Sequence, residues 1–295
     1  VLDLRDNPGG FKYIAEQIAD EFLEKGKLIL FTKNKRGVIE NTYATKKGDF
    51  EHAKVYVLIN ENSASASEII AGALQDNDKG TIVGRRSYGK GLVQREMDLG
   101  DGSAVRLTIS RYYTPTGRSI QRSYKNGKRD YYDEYFERLD SGELIDPEKI
   151  EVADSLKFTT PKGKVVYGGG GIIPDVFVPL DRSMENETLT FLEQRGFISY
   201  FVFEELEKDR SVFKAYSRED FVSNFEVDDA KVLDFQSYIN IRTNSHITFA
   251  AYKEEIKQYI KAAYAEQLFD NGAYEEVINQ KDIMIEEVIK LSNNE

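Results

Sequence analysis

The period of the hydrophobic positions changes along the chain, and each change marks an element. VLDLR at the start alternates as a strand does, and Asn7, Pro8, Gly9 and Gly10 then break it. Phe11, Ile14, Ile18 and Phe22 recur at helical spacing and predict a helix ending near Gly26. KLILFT and KVYVLIN (residues 54–60) are short apolar strands. After the second, Ile69, Ile70, Ala73 and Leu74 give one apolar helical face, and TIVG (residues 81–84) is strand again. LVQREMDL and AVRLTISRYY, separated by the turn signal DGS, read as two more strands. Strands alternating with helices predict an α/β layered core.

From about Arg122 to Tyr167 the pattern weakens into polar and aromatic residues, which reads as an insertion, and GGGGIIPDVFVP then returns to turn and strand. Beyond Ser183 the character is helical: Tyr252, Ile256, Ile260, Ala263 and Leu268 share one face, and KDIMIEEVIKL continues the trend. The expected organisation is therefore a core over 1–183, with an insertion over about 122–167, followed by a mostly helical domain over 184–295. No internal repeat is visible. Val1 stands in the middle of a strand-like run, so the chain is expected to be a piece of a longer protein, and its lack of a targeting segment says little about location. No apolar run approaches the ~20 residues that span a bilayer.

Composition narrows the chemistry. With 40% hydrophobic and 31% charged residues over 295 positions, the chain is globular. A net charge of -11 argues against a surface built for nucleic acid or anionic membrane, and the one basic run, RSYKNGKR (residues 122–129), reads as a solvated loop. The absence of cysteine excludes thiol catalysis, disulfides and thiolate metal sites. His52 and His246 are the only histidines and read as surface or packing residues.

GRRSYGKG (residues 84–91) sets Gly84, Gly89 and Lys90 on the G-x-x-x-x-G-K spacing of phosphate-binding loops. Such a loop needs a Ser or Thr after the lysine and a helix to follow. Gly91 and a strand-like run stand there instead, which leaves nucleotide binding the weakest of three readings. Upstream, Ser65 and Glu68 sit where a strand gives way to a helix, in the pattern of a capping box. The same geometry suits a nucleophile, because a helix start offers a positive dipole end and backbone N–H groups for an oxyanion. Its base would be a carboxylate or a lysine, and a lysine serves when burial lowers its pKa. Lys90, between two glycines, is placed to enter such a site.

Five blocks in order, VLDLRDNPGG, VLINENSASASEIIAGALQD, VGRRSYGKGLVQ, LTISRYYTPTGRSIQ and GIIPDVFV, resemble those of the carboxyl-terminal processing (tail-specific) peptidases, the S41 family of Ser/Lys proteases. They cover roughly residues 1–180. The resemblance implies a ClpP/crotonase-like α/β core and a serine endopeptidase that cleaves proteins near accessible C-terminal tails. It assigns Ser65 as nucleophile, Lys90 as general base and Gln94 as the residue that orients the lysine. The backbone N–H of Ala66 and that of Gly9 or Gly10 would form the oxyanion hole, with no metal or other cofactor. Ser63 and Ser67 are left to local hydrogen bonding or packing. An extracytoplasmic location, periplasm or cell envelope, follows from the same resemblance, and a homo-oligomer stays open. The PDZ domain that family members carry before the first block is missing from this chain, so the alternative is a non-catalytic peptide-binding or scaffold fragment.

Overall fold

The structure, a computed structural model, describes residues 1–124, 127, 134, 136–180, 187–244 and 246–294. The chain divides into two compact units, Val1–Leu180 and Asp181–Glu295. The expected boundary at 183/184 and most of the basic run 122–129 lie outside the described residues.

In the first unit a parallel sheet has the order β1 (Leu2–Asp3), β4 (Val55–Ile59), β5 (Gly80–Gly84), β10 (Val176–Phe177). Every residue of β4 is buried, which is why VYVLI is apolar throughout rather than alternating. The crossover from β4 to β5 is helix α2 (Ala66–Asp76), all eleven of whose residues are buried. A second, antiparallel sheet has the order β3 (Ile39–Tyr43), β2 (Leu28–Asn34), β7 (Ala104–Tyr113), β6 (Leu92–Asp98). Helix α2 packs against β2 and β5, so the core lies around it, with Val57, Ile59, Ile70, Leu74, Ile82 and Leu30 among its members. The chain is thus α/β, as its periodicity predicts.

Helix α1 (Lys12–Asp20) departs from expectation. It stops at Asp20 rather than near Gly26, and Phe11 and Ile14 are exposed while Ala15 and Ala19 are buried. The small alanines let α1 lie close against α2, while Ile18 and Phe22 of the expected stripe still pack on the core from its edge. Within the expected insertion, β8 (Lys157–Thr159) and β9 (Val165–Tyr167) make a small antiparallel hairpin.

The second unit is helical: α3 (Glu187–Gln194), α4 (Phe197–Lys208), α5 (Arg218–Asn224), α6 (Asp229–Thr243), α7 (Lys253–Leu268), α8 (Asn271–Asn279) and α9 (Ile283–Asn294). Ser217, Asp228 and Asp270 cap α5, α6 and α8 by accepting the backbone N–H three residues on. Phe221, Phe235, Phe249, Ile256 and Ile260 form its core, and Phe221 stacks on Phe225 at 4.5 Å.

Candidate active site

The turn after β4 builds the site around Ser65. Ser63, fully buried, donates its Oγ proton to the Leu4 carbonyl (2.7 Å) and accepts from the Asn60 N–H (2.9 Å), while Ser67 Oγ donates to the Asn7 carbonyl (3.0 Å). Both hydroxyls are thereby committed to fastening the turn. Ser65 stands at the N-cap of α2 with φ 56° and ψ -110°, a conformation that a side-chain-bearing residue enters only at a cost of about 1–3 kcal/mol. Such strain is found where surrounding structure holds a residue in place for chemistry.

The NPGG turn lies directly against this serine. The Asn7 carbonyl also accepts the Ala64 N–H (3.0 Å), and Gly9 adopts φ +93°. A Cβ on Gly9 would lie 2.5 Å from the Ala64 oxygen and 2.6 Å from the Ala66 nitrogen, so only glycine permits the approach. A Cβ on Gly10 would meet nothing within 4 Å. The Gly9 N–H is bonded to Asn7 Oδ1 (2.9 Å), whereas the N–H groups of Gly10 and Ala66 donate to no acceptor among the described residues. Ala66 is the first residue of α2, where helix geometry leaves the N–H without an intrahelical partner.

Glu68 ties the serine to the lysine loop. One carboxylate oxygen accepts from the Ser65 N–H (2.8 Å) and the Lys90 N–H (2.9 Å), and the other accepts from Ser87 Oγ (2.5 Å) and the Gly89 N–H (2.7 Å). The Ser65 bond is the capping-box contact, and the other three reach across about twenty residues of sequence. The loop's amides therefore do cradle an anion, but it is the chain's own glutamate rather than a phosphate. Burial raises the Glu68 pKa above the usual carboxylate range, and the hydrogen bonds from Ser87 and the backbone of Lys90, Gly89 and Ser65 pull it back in part.

From the opposite side, Tyr112 at the end of β7 holds the same two residues. Its buried hydroxyl lies 3.1 Å from the Ser65 carbonyl oxygen and 2.9 Å from that of Lys90. Burial, with the Glu68 charge added, pushes its pKa well above the usual tyrosine value.

Ser65, Ala66, Gly9, Gly10, Lys90 and Gln94 all line one cleft of about 500 Å³. Phe11, Ile69, Leu92 and Val93 make its apolar walls, and the Arg106–Glu96 pair (2.6 Å) stands at its rim. Lys90 is half-buried and Gln94 exposed; the Ser65 and Lys90 side chains share the cleft without a direct hydrogen bond among the described residues. Catalytic contacts are often open in a free enzyme and tighten on binding. His52 and His246 are both exposed, His52 does not line the cleft, and no group of His, Cys, Asp and Glu among the described residues is arranged to hold a metal. Sequence reasoning missed the wider roles of Glu68 and Tyr112. The capping box pointed to half of the first; nothing local pointed to the second.

Residues 1–127 match the family model of peptidase family S41, and residues 188–270 match that of a family of unknown function, DUF8443. A carboxy-terminal-processing protease of Bartonella bacilliformis is 49% identical over 122 residues, 41% of this chain and 28% of that protein. Carboxyl-terminal-processing peptidase 1, chloroplastic, of Arabidopsis thaliana is 38% identical over 150 residues, 49% of this chain and 30% of that one. Among solved structures, the photosystem II D1 C-terminal processing protease is 29% identical with a TM-score of 0.41, over 60% of this chain and 34% of that one. The chain spans less than a third of the length of the two relatives. Residues 1–127, which match the model of peptidase family S41, supply every residue that lines the cleft.

Proposed function

We propose that this unit is a serine endopeptidase in which Ser65 is the nucleophile and Lys90 the general base, acting on polypeptides near their C-termini. The observation that carries the reading is the strained Ser65 at the start of α2, facing Lys90 and two unbonded N–H groups across one cleft. In its amine form Lys90 takes the Ser65 hydroxyl proton as Oγ bonds to the peptide carbonyl carbon. The N–H groups of Ala66 and Gly10 receive the oxyanion, and the choice of Gly10 over Gly9 rests on the bond that already engages the Gly9 N–H. Lys90 then protonates the departing amine as the C–N bond breaks; a water gives a proton to Lys90 as its oxygen bonds to the acyl carbon, and Lys90 returns that proton to Ser65 Oγ as the Oγ–acyl bond breaks. Gln94 steadies the lysine from the cleft wall. The resemblance to bacterial and chloroplast processing enzymes supports work outside the cytoplasm or in an equivalent compartment.

The test is hydrolysis of an unstructured C-terminal tail peptide, together with labelling by a serine-directed fluorophosphonate. Ser65→Ala and Lys90→Ala are each expected to lower turnover by about 10³-fold or more, and Ser65→Ala to abolish labelling. Proteolysis that survives Ser65→Ala would sink the proposal. A folded wild-type chain that never labels would favour the non-catalytic scaffold reading.

A further inference from the structure

We propose that Glu134, Arg138 and Glu143, inside the stretch read as an insertion, clamp the lysine loop and act as positioning residues for Lys90. This inference rests on the reading of Lys90 as the base. Three arginines and two glutamates meet here, largely withdrawn from water: Arg86 in the loop, Arg122 at the start of the insertion, and Arg138, Glu134 and Glu143 within it. Arg138, 3% exposed, donates Nη1 to the carbonyl oxygens of Ser87 (2.9 Å) and Arg86 (3.3 Å), and Nη2 to Glu134 (2.8 Å). Glu143 takes Arg86 in a two-pronged pair through Nε (2.6 Å) and Nη2. Arg122 reaches Glu134 at 3.2 Å, lies 3.9 Å over the Tyr88 ring, and donates its backbone N–H to the Gly89 carbonyl (3.1 Å).

Each of residues 86–89 is thus gripped from the insertion side, while Ser87, Gly89 and Lys90 are held from the α2 side by Glu68. The glycine run behind the loop leaves no slack. A Cβ on Gly170 would fall 2.6 Å from Arg86 Nη1, and one on Gly171 would fall 2.4 Å from the Ser87 oxygen. None of the five charged residues lines the cleft, so their effect on the reaction passes through the loop backbone. Arginine suits the task because its rigid fork serves backbone carbonyls and carboxylates at once. Removing a carboxylate would leave a buried guanidinium short of its counter-charge.

The experiment uses the full chain with Arg138→Ala, Arg138→Lys and Glu143→Gln, read by amide hydrogen exchange across residues 84–91 and by peptide kinetics. Arg138→Ala is expected to speed exchange at Ser87–Lys90 by about tenfold or more, the loss of one charge-assisted hydrogen bond, while β4 keeps its protection. kcat falls and KM stays within about twofold, because substrate-lining residues are untouched. Arg138→Lys, which still reaches the Ser87 carbonyl, recovers part of the loss. Unchanged exchange in folded Arg138→Ala and Glu143→Gln overturns the clamp, as does a rise shared equally by the whole unit. Should Arg138→Ala fail to fold, Glu143→Gln decides alone through Arg86. If wild type and Ser65→Ala are equally inactive, the peptidase reading fails while exchange still decides the clamp.

Discussion

Tyr112 offers one hydroxyl to two backbone carbonyls, those of the residues proposed as nucleophile and base. Tyr112→Phe keeps the ring's packing and removes that bridge, so it is expected to cost about 1–2 kcal/mol of stability and to lower turnover more than substrate affinity. Thermal melts and peptide kinetics check both. At the glycine pair the expectation splits: Gly9→Ala drives a Cβ into Ala64 and Ala66 and should disable the site, whereas Gly10→Ala finds open space and should leave the fold intact. Glu68 makes a pH prediction whose sign follows from its raised pKa. The folded chain holds this proton more tightly than the unfolded chain. The stabilisation is therefore complete below the ordinary carboxylate pKa and is lost as pH rises through the raised one. Glu68→Gln should flatten that part of the stability profile, measured by denaturant melts at a series of pH values. It should also cost about 1–3 kcal/mol, because an amide nitrogen then faces N–H donors that a carboxylate oxygen had served. That Ser65 and Lys90 line one cleft could be suspected from sequence because each sits in a local motif. Tyr112 could not be, since its role lies in contacts to residues 47 and 22 positions away.

Some elements were legible through burial and others, such as the largely exposed β6 and β7, through residue type and alternation. β4 announces itself in VYVLI because both of its faces are covered, and β7 in a long run rich in β-branched and aromatic residues. IENTY, which forms β3 at the sheet edge, is almost wholly exposed and carries no such signal. Helix α1 misled because its fully buried positions are alanines, while Phe11 and Ile14 of the expected stripe face outward and only Ile18 and Phe22 pack on the core. Helix α2 is anchored at its far end by a pair no periodicity reveals: Asp76 and Arg118, both fully shielded from water, meet at 2.7 Å, and Arg118 also donates to Gln75 and the Tyr167 carbonyl. Asp76→Ala should cost about 3–5 kcal/mol by leaving the guanidinium uncompensated, read as a fall in melting temperature. A loss below about 1 kcal/mol would show that water reaches Arg118.

Among the described residues there are two hydrophobic cores with no residue in common, one drawn from Leu4–Ile172 and one from Leu189–Val277. Calorimetry is therefore expected to resolve two transitions, and Phe235→Ala to lower only that of the helical unit, by about 3–5 kcal/mol. A single transition that moves as one would contradict this. The peptidase family match falls within the first unit and the DUF8443 match within the second, so sequence kinship and packing divide the chain in the same way. The backbone at residue 65 carries a consequence for how this chain would respond to selection. Glycine relaxes at φ 56°, ψ -110° as serine does not, so Ser65→Gly should give a molecule that melts higher and cuts nothing. A library screened for heat resistance alone would therefore drift toward catalytic death at this one codon, and any search for a hardier enzyme has to select for turnover in the same round.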